Sequence, residues 1–431
     1  MHNHLTRRSF LAGLSVAGPL ALTAQSTKVL PKPHKSGIKH VIVVMMENRS
    51  FDHFLGWLPG ADGKQAGLTF KNTAGQPQTT ARLTDFQNCS LADPDHSYAG
   101  GRVQLNSGQC DGWLASNTKD NFSIGYYTQA DLAFFGSAAP EWTVCDRYFC
   151  GILGPTFPNR FYQHSAQTDR LSNTVVLSTM PTIWDNLAAA GLDGRYYFND
   201  SAFLALWGPK YTSITSPYSQ FLADCAAGNL AHVTYIDPKF INEGTGTSTD
   251  DHPHADVRNG EVFLNEIYNA VTTGPQWPHT ILVINYDEWG GFFDHVPPPA
   301  GPIPAADVAA GNQDGLLGFR VPNLIVSPWS RRGFVDHTQY DHTSILRMIE
   351  WRWQLPPLSL RDASANNLAL ALDFSQPNLS APAYAVPAGA FGAVCGTPAL
   401  NPIGPFGQGQ DDEDREWVPV RDLGRQFGFP A

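Results

Sequence analysis

Four stretches of the chain are continuously apolar and end abruptly in polar residues: Lys39–Met46, His232–Ile236, Thr280–Asn285 and Val321–Val326. A strand with one wetted face alternates, whereas an unbroken run is covered on both sides. These four therefore predict strands of a mostly parallel sheet sandwiched between helices. Between them the apolar spacing lengthens to the helical period, predicting helices over Thr182–Ala190, Ala255–Thr272 and His342–Trp353. The expected fold is an α/β/α sandwich with a mostly parallel central sheet. No internal repeat or low-complexity linker divides the chain, so a single catalytic domain is expected over residues 37–380. From residue 381 onward Pro, Gly and acidic residues dominate, including Asp411-Asp412-Glu413-Asp414, and a surface-wrapping tail is expected there.

The N-terminus changes where this domain works. Thr6-Arg7-Arg8-Ser9-Phe10-Leu11 is a twin-arginine pattern, followed by a small and apolar stretch from Leu11 to Ala24 that is too short to span a bilayer. Residues 1–30 read as a targeting segment with cleavage near Ala24, which makes the twin-arginine export machinery a partner and the destination periplasmic or extracellular. Six cysteines, an even number, predict one to three disulfides in that oxidising setting, and none has zinc-cluster spacing. The net charge of −11 argues against nucleic acid, because phosphate backbones select basic faces. It also offers no standing attraction to an anionic membrane, so any membrane contact is expected to be transient. An anionic substrate would need a locally positive site, which a bound divalent metal ion supplies most simply.

In sheets of this kind ligands bind beyond the carboxyl ends of the strands. Two ends carry oxygen ligands: Glu47-Asn48 after the first apolar run and Asp287-Glu288 after the third. Either pair alone reads equally as a loop cap or a solvated turn. Together they form a donor set for a hard divalent cation. The segment Gly154–Tyr162 reads as a loop turning into a helix, with Thr156 at the N-cap and Pro158 in the first turn. A hydroxyl there would face an anion held by the helix N-terminus, and metal coordination would activate it. Histidines in polar loops, His96, His252, His295 and His342, are candidates to contact a phosphoryl oxygen or protonate a leaving group. Loop aromatics (Trp57, Trp113, Tyr126, Tyr127, Trp289, Phe292, Phe293) offer either a cation-binding pocket or ordinary core.

The run Glu47-Asn48-Arg49-Ser50-Phe51-Asp52-His53-Phe54-Leu55-Gly56 resembles the signature of the bacterial phosphoesterase family of the alkaline phosphatase superfamily, which includes phospholipases C and acid phosphatases. Asp93–Ser97, Cys145–Cys150, Gly154–Arg160 and Tyr286–His295 are similar to further family blocks in the same order, and the resemblance covers residues 38–375. It implies an alkaline-phosphatase-like fold and a metal held by Glu47, Asn48, Asp287 and Glu288, with the hydroxyl of the nucleophile Thr156 also on the ion. It implies that His96 and His252 bind the phosphoryl group or assist the leaving group, with His295 and His342 as supporting residues. The expected activity is hydrolysis of phosphatidylcholine-like phosphodiesters through a phosphothreonine. The alternatives are a phosphomonoesterase of acid phosphatase type and a non-catalytic secreted binding protein on the same fold. A sulfatase is disfavoured: Thr156-Phe157-Pro158-Asn159-Arg160 has the sulfatase motif's shape, but threonine cannot become formylglycine. The longer phospholipases of this family continue into further β-rich domains, and this chain stops first, which weighs against action on membranes more than against the chemistry.

Overall fold

A computed structural model describes residues 29–395 and 412–430. The twin-arginine stretch, the cleavage region and Asp411 lie outside the described residues. Eight strands form the main sheet: β1 (His40–Met46), β2 (Thr143–Cys145), β3 (Gly194–Phe198), β4 (Thr215–Pro217), β5 (Val233–Ile236), β6 (Thr280–Tyr286), β7 (Asn323–Val326) and β8 (Phe334–Asp336). Their spatial order is β8-β2-β7-β6-β1-β5-β3-β4. All pairings are parallel except those of β7, which runs antiparallel to both β6 and β2.

The apolar runs thus become strands near their expected bounds, while the direction of the fourth lies beyond what an apolar run encodes. Continuous apolarity reports covering on both faces, not strand polarity. The four additional strands are three to five residues long and include polar or aromatic positions, so no run marks them. The helices Ile183–Ala189, Val257–Thr273 and His342–Trp353 match expectation within a residue or two. Asp341 caps the last with a reciprocal bond to Ser344, which fixes its start at His342.

The decisive pairing is β1 with β6. They run parallel in a register that places Met46 beside Tyr286, and the Asp287 amide donates to the Met46 carbonyl at 3.0 Å. Both strands therefore end at the same level, and Glu47-Asn48 emerges beside Asp287-Glu288. Because β1 and β6 are almost wholly buried, covered on both faces, this shared edge lies deep in the molecule.

The region expected as a surface tail also contributes to the core. Helix Asp412–Phe427 packs on the segment Phe203–Ile214. It inserts Trp417, wholly buried, flat against Phe240 at 3.7 Å between ring centroids. Cys395, at the end of the preceding described stretch, is joined to Cys89 across 306 residues of sequence. Cys110, Cys145, Cys150 and Cys225 are buried thiols. Among the described residues no helix is long and apolar enough to cross a membrane.

Trp417→Ala would remove a large, fully packed side chain, so we expect a loss of about 3–5 kcal/mol in denaturant unfolding. A change below about 1 kcal/mol would show that this helix is not part of the cooperative core.

Candidate active site

The first family-like segment, Glu47–Gly56, is a clamp for its surroundings. Asn48 adopts a left-handed backbone, φ 62°, which asparagine tolerates better than most residues. Gly290 crosses above it so closely that a Cβ would lie 2.0 Å from the Asn48 carbonyl oxygen. Arg49 Nε donates to the Asp251 carbonyl at 2.7 Å, fixing the strand of chain that presents His252. Ser50 caps the short helix Phe51–Leu55 and donates to the Phe293 carbonyl. Asp52 closes the segment by pairing with His295 and Arg320.

Glu47, Asn48, Thr156, Asp287 and Glu288 are all wholly buried. The Asn48 amide donates to Asp287 Oδ1 at 3.2 Å, and the Glu288 amide donates to the same oxygen at 2.6 Å. Thr156 Oγ1 lies 3.5 Å from Asn48 Oδ1. The structure thus brings together all five residues that the sequence nominated for a metal.

It also adds a residue that the sequence reading had quoted only as part of a motif. Arg160, buried beneath this group, reaches Glu47 Oε1 at 3.2 Å, Asp287 Oδ2 at 3.2 Å and Asp237 Oδ1 at 2.9 Å. Phe240 and Trp417 cover its guanidinium at 4.7 and 5.4 Å. The surrounding carboxylates outweigh burial and raise its affinity for its proton. One guanidinium nonetheless faces Glu47, Asp237 and Asp287 with Glu288 alongside, so negative charge remains in excess. Glu288 Oε1 is buried without a hydrogen-bond partner. Burial and the adjacent Asp287 push the Glu288 carboxyl well above the ordinary carboxylate range. Hard oxygen donors, surplus buried charge and an unsatisfied carboxylate oxygen fit a divalent cation.

Thr156 departs from expectation in one respect. It is the first residue of helix Thr156–Ser165, and Pro155 is the N-cap. Its hydroxyl therefore points to Asn48 instead of capping its own helix. The expected cradle of unpaired helix amides also shrinks: Asn173 Oδ1 accepts from the Phe157 amide at 2.7 Å, and Pro158 has no N–H. The Thr156 amide is what the first turn still offers an anion.

The four histidines divide into two pairs. His96 Nδ1 donates to the Pro94 carbonyl at 2.8 Å, leaving Nε2 toward Asn48 Nδ2 at 3.4 Å. His252 Nδ1 donates to Glu243 Oε2 at 2.9 Å, and its ring stands edge-on to His96 with centroids 5.6 Å apart. Atoms of Asp93, His96 and His252 come within 4.8 Å of one another, as do those of Glu47, Glu243 and Asp250. Glu243 and Asp250 were missed in the sequence: neither lies in a quoted motif, and nothing local marks them as near Glu47.

His342 instead supports Asp287 from below, its Nε2 donating to the Asp287 carbonyl at 2.6 Å, and burial lowers its pKa to about 4. His295 lies in a separate ionic network with Asp52 and Asp62. Of the loop aromatics, Trp113, Tyr127, Trp289, Phe292 and Phe293 are core residues, not the lining of an open pocket.

A model of the phosphoesterase family matches residues 38–356, so the chain belongs to that family and is a phosphoric ester hydrolase. Among curated relatives, phospholipase C B of Mycobacterium tuberculosis (strain ATCC 25618 / H37Rv) is 30% identical over 470 residues, covering 88% of each chain. Non-specific phospholipase C1 of Arabidopsis thaliana is 33% identical over 393 residues, covering 80% of this chain and 74% of its own. Among solved structures, an alkaline phosphatase superfamily protein from Vibrio parahaemolyticus aligns at 9% identity and a TM-score of 0.36. That alignment covers 73% of this chain and 66% of the other.

Arg160→Leu would leave three buried carboxylates without their cation, so we expect a loss of about 3–5 kcal/mol in unfolding free energy. A loss below about 1 kcal/mol would show that Arg160 does not hold the two strand ends together.

Proposed function

We propose that the protein is an exported phospholipase C-type phosphodiesterase with Thr156 as nucleophile and a divalent cation on Glu47, Asn48, Asp287 and Glu288. The observation that carries this reading is the approach of Thr156 Oγ1 to Asn48 Oδ1 at 3.5 Å, inside a wholly buried set of hard oxygen donors. A cation bound there would lower the pKa of the Thr156 hydroxyl and neutralise charge on the phosphoryl oxygens.

The two histidines have separate parts in the transfer. His96, with Nδ1–H committed to Pro94, presents Nε2 as an acceptor on the far side of the Asn48 amide from Thr156. It steadies the Asn48 amide, whose Oδ1 accepts from Thr156, and the Thr156 proton passes to solvent as Oγ1 attacks phosphorus in line. His252, with Nδ1–H committed to Glu243, presents Nε2 as the donor to the departing alkoxide. The bond from phosphorus to the alcohol breaks, leaving phosphothreonine and a neutral alcohol. In the second displacement water attacks phosphorus and gives its proton to His252, the bond from phosphorus to Oγ1 breaks, and Thr156 Oγ1 regains a proton from solvent. The Thr156 amide and the Asn48 side-chain amide would steady the phosphoryl oxygens.

The names of the relatives support a phospholipid diester as the substrate. The twin-arginine stretch supports export in the folded state, and the Cys89–Cys395 crosslink suits an oxidising compartment. Contact with a membrane is then transient, made while a lipid head group is engaged.

Thr156→Ala should lower kcat on a phosphocholine diester by about 10³-fold or more while the protein still binds metal by equilibrium dialysis. Residual activity within tenfold of wild type would remove Thr156 from the nucleophile role. Comparison of that diester with a chromogenic phosphate monoester tests the substrate: we expect kcat/KM to favour the diester, and preference for the monoester would make the enzyme a phosphatase.

A further inference from the structure

We infer that Glu243 is a positioning residue that holds His252 as the proton donor, and that the Cys89–Cys395 disulfide keeps Glu243 in place. This inference rests on the role of His252 proposed above.

His252 is anchored at two points, one on its ring and one on its backbone. Its Nδ1 donates to Glu243 Oε2 at 2.9 Å, and its backbone amide donates to Asp250 Oδ1 at 3.0 Å. These contacts direct Nε2 into the space shared with Asp93 and His96, 3.9 Å from Asp93 Oδ2. A carboxylate behind an imidazole fixes the tautomer and offsets the ring's charge as a proton comes and goes.

Glu243 needs external support, because it opens only a short turn, Glu243–Thr245, entered through Asn242 at φ 75°. That turn belongs to neither the sheet nor a long helix. It is covered by residues 391–395. The Cys395 amide donates to the Gly244 carbonyl at 2.8 Å. Asn259 joins the two segments, donating through Nδ2 to the Gly246 carbonyl at 2.5 Å and accepting from the Phe391 amide at 2.9 Å. Gln87 brackets Ala393 with bonds of 2.7 and 3.0 Å. Gly392 approaches Gly246 so closely that a Cβ would lie 3.0 Å from its Cα.

The disulfide joins this strap to Cys89, which starts the loop that carries Asp93 and His96. One crosslink therefore ties the loop that presents Asp93 and His96 to the strap that covers the Glu243 turn. Breaking it removes a tether across 306 residues and leaves the strap on a handful of exchangeable hydrogen bonds.

The test exploits the leaving group. Proton donation matters greatly when an aliphatic alcohol departs and little when 4-nitrophenol departs from the same phosphocholine head. With the metal-loaded full chain, Glu243→Ala should lower kcat on the aliphatic diester by about 10²-fold. KM and the rate of the pre-steady-state burst of 4-nitrophenol from 4-nitrophenyl phosphocholine, which reports the first displacement alone, should stay within about threefold, and Glu243→Asp should recover part of the loss. Wild type treated with dithiothreitol should show the same selective loss, on the order of tenfold, and regain activity on reoxidation; this avoids relying on a cysteine variant that fails to fold.

Equal losses on both substrates, or none in Glu243→Ala, would overturn the positioning role. A reduced enzyme with unchanged selectivity would overturn the role of the disulfide. His252→Ala separates the two levels of the argument: full activity on the aliphatic diester would overturn the donor reading itself. A selective loss in His252→Ala without one in Glu243→Ala would overturn only the inference about Glu243.

Discussion

At the carboxyl edge of the sheet a single buried guanidinium, Arg160, is surrounded by Glu47, Asp237 and Asp287, and the rest of the site is arranged around that fact. Carboxylates this deep carry a large desolvation cost, and one partner does not meet it for all of them. The arrangement persists because β1 and β6 are in a register that ends both at one level, so their ligands share the same cation. The planar fork of arginine suits this task, since its nitrogens reach separate partners at once. Its apolar cover comes from far away in sequence, with Phe240 on one segment and Trp417 on the C-terminal helix. Glu288 lies outside these ion pairs, its carboxyl pushed up by burial and by Asp287, and a divalent cation in place of its proton would suit the site to an anionic phosphate ester.

The histidines show how similar residues acquire different work from their surroundings. His342 is enclosed and kept neutral, and it acts on the backbone of Asp287. In the ionic network of Asp52, Asp294 and Arg320, the neighbouring carboxylates raise the pKa of His295 against the effect of burial. That network ties the end of the Glu47–Gly56 segment to the loop after Asp287. His96 and His252 alone among the four converge on the oxygen donors, each with one ring nitrogen committed to a fixed acceptor.

Much of this was legible in the sequence because burial on both faces leaves an unbroken apolar run. Lys39–Met46 and Thr280–Asn285 located the two central strands within a residue, and the polar residues beyond them emerge side by side. The antiparallel direction of Asn323–Val326 was not legible, since apolarity carries no information on polarity of the chain. Thr156 is the first helical residue and not the cap, a difference of one position, because a threonine between Pro155 and Phe157-Pro158 reads equally as either. The structural weight of Trp417 and the proximity of Glu243 to His252 depend on contacts between distant segments. In the sequence Trp417 follows an acidic, Pro- and Gly-rich stretch, and Glu243 stands in a glycine-rich loop; neither context signals a buried partner.

The central claim is that phosphorus passes through Thr156. The most direct measurement is mass spectrometry of the peptide containing Thr156 after rapid acid quench of metal-loaded enzyme turning over a phosphocholine diester. The account predicts transient addition of the phosphocholine group to Thr156 in wild type and its absence in Thr156→Ala. Turnover at full rate with no modified Thr156 at any quench time, or modification at another residue, would contradict it.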